Sequence, residues 1–157
     1  MSEWGTTTRV RAVVTLANGE VYPGEIHLLD WMHHRAGPET PLEMLNRGDG
    51  FFPLTQNGGE TIFVPKGQVA IVTCEWPPDG WPPEGMEPLP HPGRRISLLV
   101  RISSGEEYRG EAVVELRTGR DRALDYLNES GPFFQLVTEG APRLINRAHV
   151  SIVRPLD

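Results

Sequence analysis

The chain repeats itself, and that repeat restricts its fold more than any other feature. Arg9-Val10-Arg11-Ala12-Val13-Val14-Thr15-Leu16 lies over Arg95-Ile96-Ser97-Leu98-Leu99-Val100-Arg101-Ile102. Gly19-Glu20-Val21-Tyr22-Pro23-Gly24-Glu25 lies over Gly105-Glu106-Glu107-Tyr108-Arg109-Gly110-Glu111. Further on, Leu42-Glu43-Met44-Leu45-Asn46 meets Leu124-Asp125-Tyr126-Leu127-Asn128, and Phe51-Phe52-Pro53-Leu54 meets Phe133-Phe134-Gln135-Leu136. Val69-Ala70-Ile71-Val72 meets Val150-Ser151-Ile152-Val153. Matches that keep their order and spacing along the chain mark two copies of one supersecondary unit.

Each copy reads as strand, hairpin, strand, short helix and three further strands. Apolar alternation predicts strands over residues 9–17 and near 20–29, then near 51–56, 61–65 and 68–74. Asn18-Gly19 predicts a type I′ hairpin, with Ser104-Gly105 in the second copy. Thr40-Pro41-Leu42-Glu43 is a capping box with proline in the first helical turn. Asp121 is expected as the matching N-cap, and Asn46 and Asn128 as left-handed helix ends. Asn57-Gly58-Gly59 and Lys66-Gly67 supply tight turns. Gly24 and Gly110 fall at one point of the second strand, where glycine marks a bend or bulge. Tyr22 and Tyr108 are expected as core or rim aromatics. The fold expected is mainly β: two tandem five-stranded small barrels over 8–75 and 94–156, each with one short helix between strands two and three. Residues 76–93 form a proline- and tryptophan-rich linker.

The run from Val10 to Ile26 resembles the first motif of Sm/LSm-like barrels, a strand, a glycine turn and a second strand with glycine at its bend. The stretch from Leu144 to Val153 is similar to the second motif, a strand, a short polar turn carrying a base (Arg147) and a closing strand. Lys66 takes that place in the first copy. The helix departs from the pattern, since it falls between strands two and three. The resemblance implies an SH3-like small barrel, pairing through edge strands, and RNA binding near Lys66 and Arg147. Bacterial small-barrel domains of no assigned role look equally similar.

Charge argues against a phosphate-backbone binder. Net charge is −6, and tight nucleic-acid binding ordinarily takes a basic surface. The bases are unevenly placed, nearly all arginine and concentrated after residue 94. The start has neither a basic stretch nor an apolar one, so no signal peptide is expected. No apolar run is long enough for a membrane helix. One cysteine, Cys74, permits no internal disulfide, and a cytoplasmic setting is expected.

Features of one copy alone are the candidates for specific function. Asp30-Trp31-Met32-His33-His34 occurs only in the first. Adjacent histidines rarely reach one ion, so no metal is expected there, and Trp31 and Met32 are read as partner-docking residues. In the linker, Trp76-Pro77-Pro78-Asp79-Gly80 is followed by Trp81-Pro82-Pro83-Glu84-Gly85. Proline favours an extended segment, so Trp76 and Trp81 are candidates either for packing on the barrels or for docking in a partner's groove. Arg117, Arg120 and Arg122 cluster near the second helix, as a salt-bridged face or an anion site. Cys74 ends an apolar strand and is read as inert. With no catalytic motif, the expectation is a non-enzymatic, cofactor-free interaction or scaffolding module; the alternative is an Sm-like nucleic-acid or nucleotide binder using Lys66, Arg147 and the arginine cluster.

Overall fold

The computed structural model describes residues 7–30, 39–77, 94–114, 122–139 and 141–156. The first half holds β1 (Thr7–Leu16), β2 (Val21–Leu29), α1 (Pro41–Asn46), β3 (Phe51–Gln56), β4 (Thr61–Pro65) and β5 (Val69–Cys74). The second holds β6 (Arg94–Ile102), β7 (Glu107–Val114), α2 (Ala123–Glu129), β8 (Phe133–Thr138), β9 (Ala141–Asn146) and β10 (Val150–Pro155). The chain is mainly β, and each helix falls between its half's second and third strands. All strands join one antiparallel sheet in the order β10-β6-β7-β8-β9-β5-β1-β2-β3-β4. The second half thus follows the path of the first, and β5 joins β9 at the centre.

Two tandem five-stranded small barrels were expected; the described strands make one open sheet instead. The reason lies in β5. One side of it pairs with β1 and the other with β9, so its outer hydrogen-bonding groups are used across the halves. The sheet ends at β4 and β10.

The first hairpin is not type I′. Gly19 has φ +94°, whereas Asn18 is not left-handed. Gly19 N donates to Leu16 O and Leu16 N to Glu20 O, with an identical pair at Gly105–Ile102 and Ile102–Glu106. This is a type I turn closed by a glycine bulge, the usual three-residue alternative. Asn18 uses its side chain rather than its backbone, accepting from Glu20 N at 2.9 Å. The tyrosines repeat as well: Tyr22 donates to Glu20 and Tyr108 to Glu106.

Gly24 and Gly110 do sit where β2 and β7 cross their neighbours closely. A Cβ on Gly24 would lie 2.4 Å from Thr55 O, and one on Gly110 would lie 2.5 Å from Val137 O. Only glycine allows that approach.

The Thr40 capping box forms as read, with Glu43 N donating to Thr40 Oγ1 and Thr40 N to Glu43 Oε1. The helix ends differ from expectation. Neither Asn46 nor Asn128 is left-handed. α1 leaves through Arg47 in extended conformation, and α2 runs on to Glu129 before Ser130 does the same. Arg122 caps α2, and Asp125 accepts from its backbone and guanidinium; Asp121 lies outside the described residues.

Two apolar clusters form the core, one largely from each half, and they trade residues. Phe133 and Leu144 of the second half pack in the first cluster. Ala70 and Ile71 of the first half pack in the second.

Candidate interaction site at the sheet edges

The central junction shows what a strand edge of this chain accepts. β5 and β9 run antiparallel with Ile71 opposite Ile145, Val72 opposite Leu144 and Thr73 opposite Arg143. Glu75 N donates to Arg11 O, and Arg147 N to Pro132 O. Counting back by twos, the backbones of Val72 and Leu144 point at each other. Asn46 adds a clamp: its Nδ2 donates to Phe133 O at 3.1 Å, and its Oδ1 accepts from Phe133 N at 2.8 Å. A helix-end amide of one half therefore satisfies both backbone groups of the other half's first β8 residue. Gly131 makes room, since a Cβ there would meet the Asn46 side chain at 2.7 Å. Asn146 Nδ2 further donates to Val69 O at 2.9 Å, and His149 Nε2 lies 2.7 Å from Gly67 O.

Among the described strands, β4 and β10 each pair on one side only. Lys66 N donates to Gly50 O, so Phe63 and Pro65 point their backbones outward from β4. Leu156 N donates to Ser97 O, which turns Val153 and Pro155 outward on β10. Side-chain exposure separates inner from outer positions. Phe51 is 60% exposed and its counterpart Phe133 is 1%. Phe63 is 60% exposed and its counterpart Leu144 is 1%. Ile152 is 38% exposed and its counterpart Ile71 is 2%. Large apolar side chains exposed at or beside a sheet edge are what most proteins avoid. Pro65 and Pro155 limit the ladder each edge can offer, because proline donates no hydrogen bond.

The two bases matched by the sequence resemblance both reach helix ends, Lys66 from a buried position and Arg147 from an exposed one. Lys66 is buried, and its Nζ donates to Met44 O at 2.7 Å, Arg47 O at 3.2 Å and Asp49 Oδ1 at 3.0 Å. Arg147 Nη1 donates to Leu127 O at 2.9 Å and Asn128 O at 3.2 Å. Each cation thus sits on the last carbonyls of its helix, where the helix dipole favours positive charge. Burial pushes the Asp49 carboxyl up, but the Lys66 hydrogen bond and charge, with Arg47 beside it, bring it below its ordinary range. Arg47 also reaches the fully buried Glu39, with Nη1 2.9 Å from Oε2. That oxygen accepts no hydrogen bond, while Oε1 accepts from Leu29 N at 3.1 Å. Burial raises the Glu39 pKa, partly offset by the Leu29 bond and by Arg47.

Arg122 is spent in part on Asp125 at 3.1 Å, and it borders a groove with Arg94, Arg95 and Leu124. Trp76 is half-buried against the first cluster, beside Val13, Cys74 and Pro142. Cys74 is buried. Trp31, Met32, His33, His34, Trp81, Arg117 and Arg120 lie outside the described residues. No helix among the described residues is long and apolar enough to cross a membrane.

The candidate residues that sequence reading passed over are Asn46, Phe51, Phe63 and Ile152. A usable signal was present: matching positions of a repeat have matching environments unless one copy contacts the other. No family model matches the chain, and neither a curated protein nor a solved structure resembles it significantly.

Proposed function

We propose that the chain is a tandem pair of small β units sharing one sheet and working as a non-enzymatic interaction module, which binds protein by adding a strand at its exposed edges, β4 and β10. The observation that carries this is the exposure of Phe51, Phe63 and Ile152 at positions whose counterparts are buried in the central junction. Strand addition suits such an edge: backbone hydrogen bonds hold the incoming segment, and alternate side chains select it. A cytoplasmic setting fits a sequence with one cysteine, Cys74, which is buried. The nucleic-acid alternative loses support because Lys66 is buried on helix carbonyls, Arg147 gives one guanidinium nitrogen to them, and net charge is −6.

Photo-crosslinking inside cells tests the proposal. A crosslinking residue at Phe63 or Ile152 is expected to capture protein, whereas one at Val21, also exposed but off both edges, is not. Equal or absent capture at all three sites would overturn it.

A further inference from the structure

We propose that Asn57 is a site of spontaneous chemical modification, converting to aspartate and isoaspartate by ring closure onto Gly58, while the chain's other Asn-Gly pair, Asn18-Gly19, is held out of the same reaction. This site owes nothing to strand addition at the edges. Both pairs lie at hairpin tips, and both asparagines are exposed. By residue type the pairs are alike; their turns set them apart.

In this reaction the glycine's backbone nitrogen attacks Cγ of the preceding asparagine. A carbon–nitrogen bond forms, and the side-chain amide nitrogen leaves as ammonia, taking the backbone proton with it. The cyclic succinimide left behind is opened by water at either carbonyl. One opening gives aspartate. The other gives isoaspartate, in which the main chain runs through the side-chain carbon. Glycine favours the attack because it has no Cβ to crowd the nitrogen.

At the first hairpin the groups that must react are all engaged. Gly19 N, the required nucleophile, donates to Leu16 O at 3.0 Å. The Asn18 carboxamide is held at both ends by Glu20: Oδ1 accepts from Glu20 N at 2.9 Å, and Nδ2 donates to Glu20 Oε1 at 2.7 Å. Glu20 is itself fixed by the Tyr22 hydroxyl. The second hairpin makes the same turn with the Asn-Gly pair moved back one position. Gly59, not Gly58, has φ +90° and donates to Gln56 O at 2.8 Å, and Gln56 N donates to Glu60 O. Gly58 N therefore falls in the middle of the turn, outside its closing bond. Among the described residues, none accepts from Gly58 N and none bonds the Asn57 side chain. Space is open there too, since a Cβ on Gly58 would meet nothing within 4 Å. Conversion adds a negative charge beside Glu60, at the tip of the hairpin that joins β3 to β4. Isoaspartate also adds a carbon to the main chain just past the Thr55–Thr61 pair.

Ageing the purified full chain at mildly alkaline pH, with peptide mass spectrometry on both pairs in one sample, is the test. Because Asn18 must break hydrogen bonds that Asn57 lacks, Asn57 is expected to convert at least about tenfold faster. Its product should be a mixture of aspartate and isoaspartate, the latter detected by an isoaspartyl methyltransferase. In urea the two pairs should convert at similar rates, because only the local sequence then acts. Gly58→Ala, for which there is room, should slow conversion at Asn57. Glu20→Ala releases the Asn18 carboxamide and should speed conversion there. Equal native rates, a faster Asn18, or an Asn57 that stays intact when folded yet converts in urea would each overturn the assignment. So would aspartate as the sole product, or an unchanged Asn57 rate in Gly58→Ala, since either means direct hydrolysis rather than ring closure.

Discussion

Asn46→Ala is expected to destabilise the fold far more than Asn128→Ala, although the two residues correspond. Asn46 makes bonds of 2.8 and 3.1 Å to the N–H and C=O of Phe133. Phe133 is 1% exposed, so the gap left by alanine strands two backbone groups with little access to water. Leaving a buried donor or acceptor unsatisfied costs about 1–3 kcal/mol. Two at one site, partly relaxed by water entering beside the helix end, give about 2–3 kcal/mol. For a chain of this length each kcal/mol lowers Tm by about 2–4 °C, so the expected fall is about 4–12 °C. Asn128 is exposed, and its replacement should stay within about 0.5 kcal/mol. Urea unfolding followed by circular dichroism checks this. Equal losses for the two variants would refute the idea that the halves are locked by an amide reading one backbone position.

Two further outcomes follow from the geometry. Gly24→Ala and Gly110→Ala each drive a methyl group into a carbonyl of the neighbouring strand; each should cost about 1–3 kcal/mol in urea unfolding, and no measurable cost would mean the strands do not cross that closely. Acid and base titration should reveal two opposed groups. Burial and the nearby Arg9 lower the His27 pKa, with Glu25 opposing, so the unfolded chain binds that proton more tightly and stability is lost as pH falls below the ordinary imidazole value, about 6.5. Burial raises the Glu39 pKa, so the folded chain holds that proton more tightly and stability falls as pH rises through the raised value. Glu39→Gln should therefore gain stability over the wild type at neutral pH and lose that gain in acid, as read from urea midpoints at several pH values; a constant difference would contradict this.

Local chemistry in the sequence translated well where one residue type had one use. The strand alternation, the Thr40 capping box and the two bend glycines each meet a short-range requirement, and short-range requirements are written in neighbouring residues. The hairpin at Asn18-Gly19 went to a different turn because the pair is compatible with two loop lengths, and the strand register selects between them. Asn46 was read as a helix end for its backbone, but its side chain is what matters, through a contact 87 residues away. Lys66 and Arg147 stand out in the sequence through the motif they match, whereas the helix carbonyls they reach lie about twenty residues distant in sequence. Closure failed for a related reason. Whether a fifth strand turns back on its own barrel or pairs with another unit depends on which partner is held nearby, and the linker holds the second copy close.

The shared junction also sets a limit on how far each half is its own domain. Phe133 and Leu144 complete the first cluster, and Ile71 helps complete the second. Burying a large apolar side chain contributes about 1.5–3 kcal/mol, so these three together contribute about 5–9 kcal/mol. That is comparable with the whole stability of a small domain, about 5–15 kcal/mol, and each half is near the size at which a core becomes marginal. A chain divided between residues 77 and 94 should therefore give two pieces with no folded monomeric form of either, which combine one to one when mixed. Nuclear magnetic resonance reads this directly: poorly dispersed amide signals for each piece alone, and dispersed signals on mixing. A well-dispersed monomer of either piece alone would show that its core closes without the other half, and that the exchange of residues across β5 and β9 is incidental to folding.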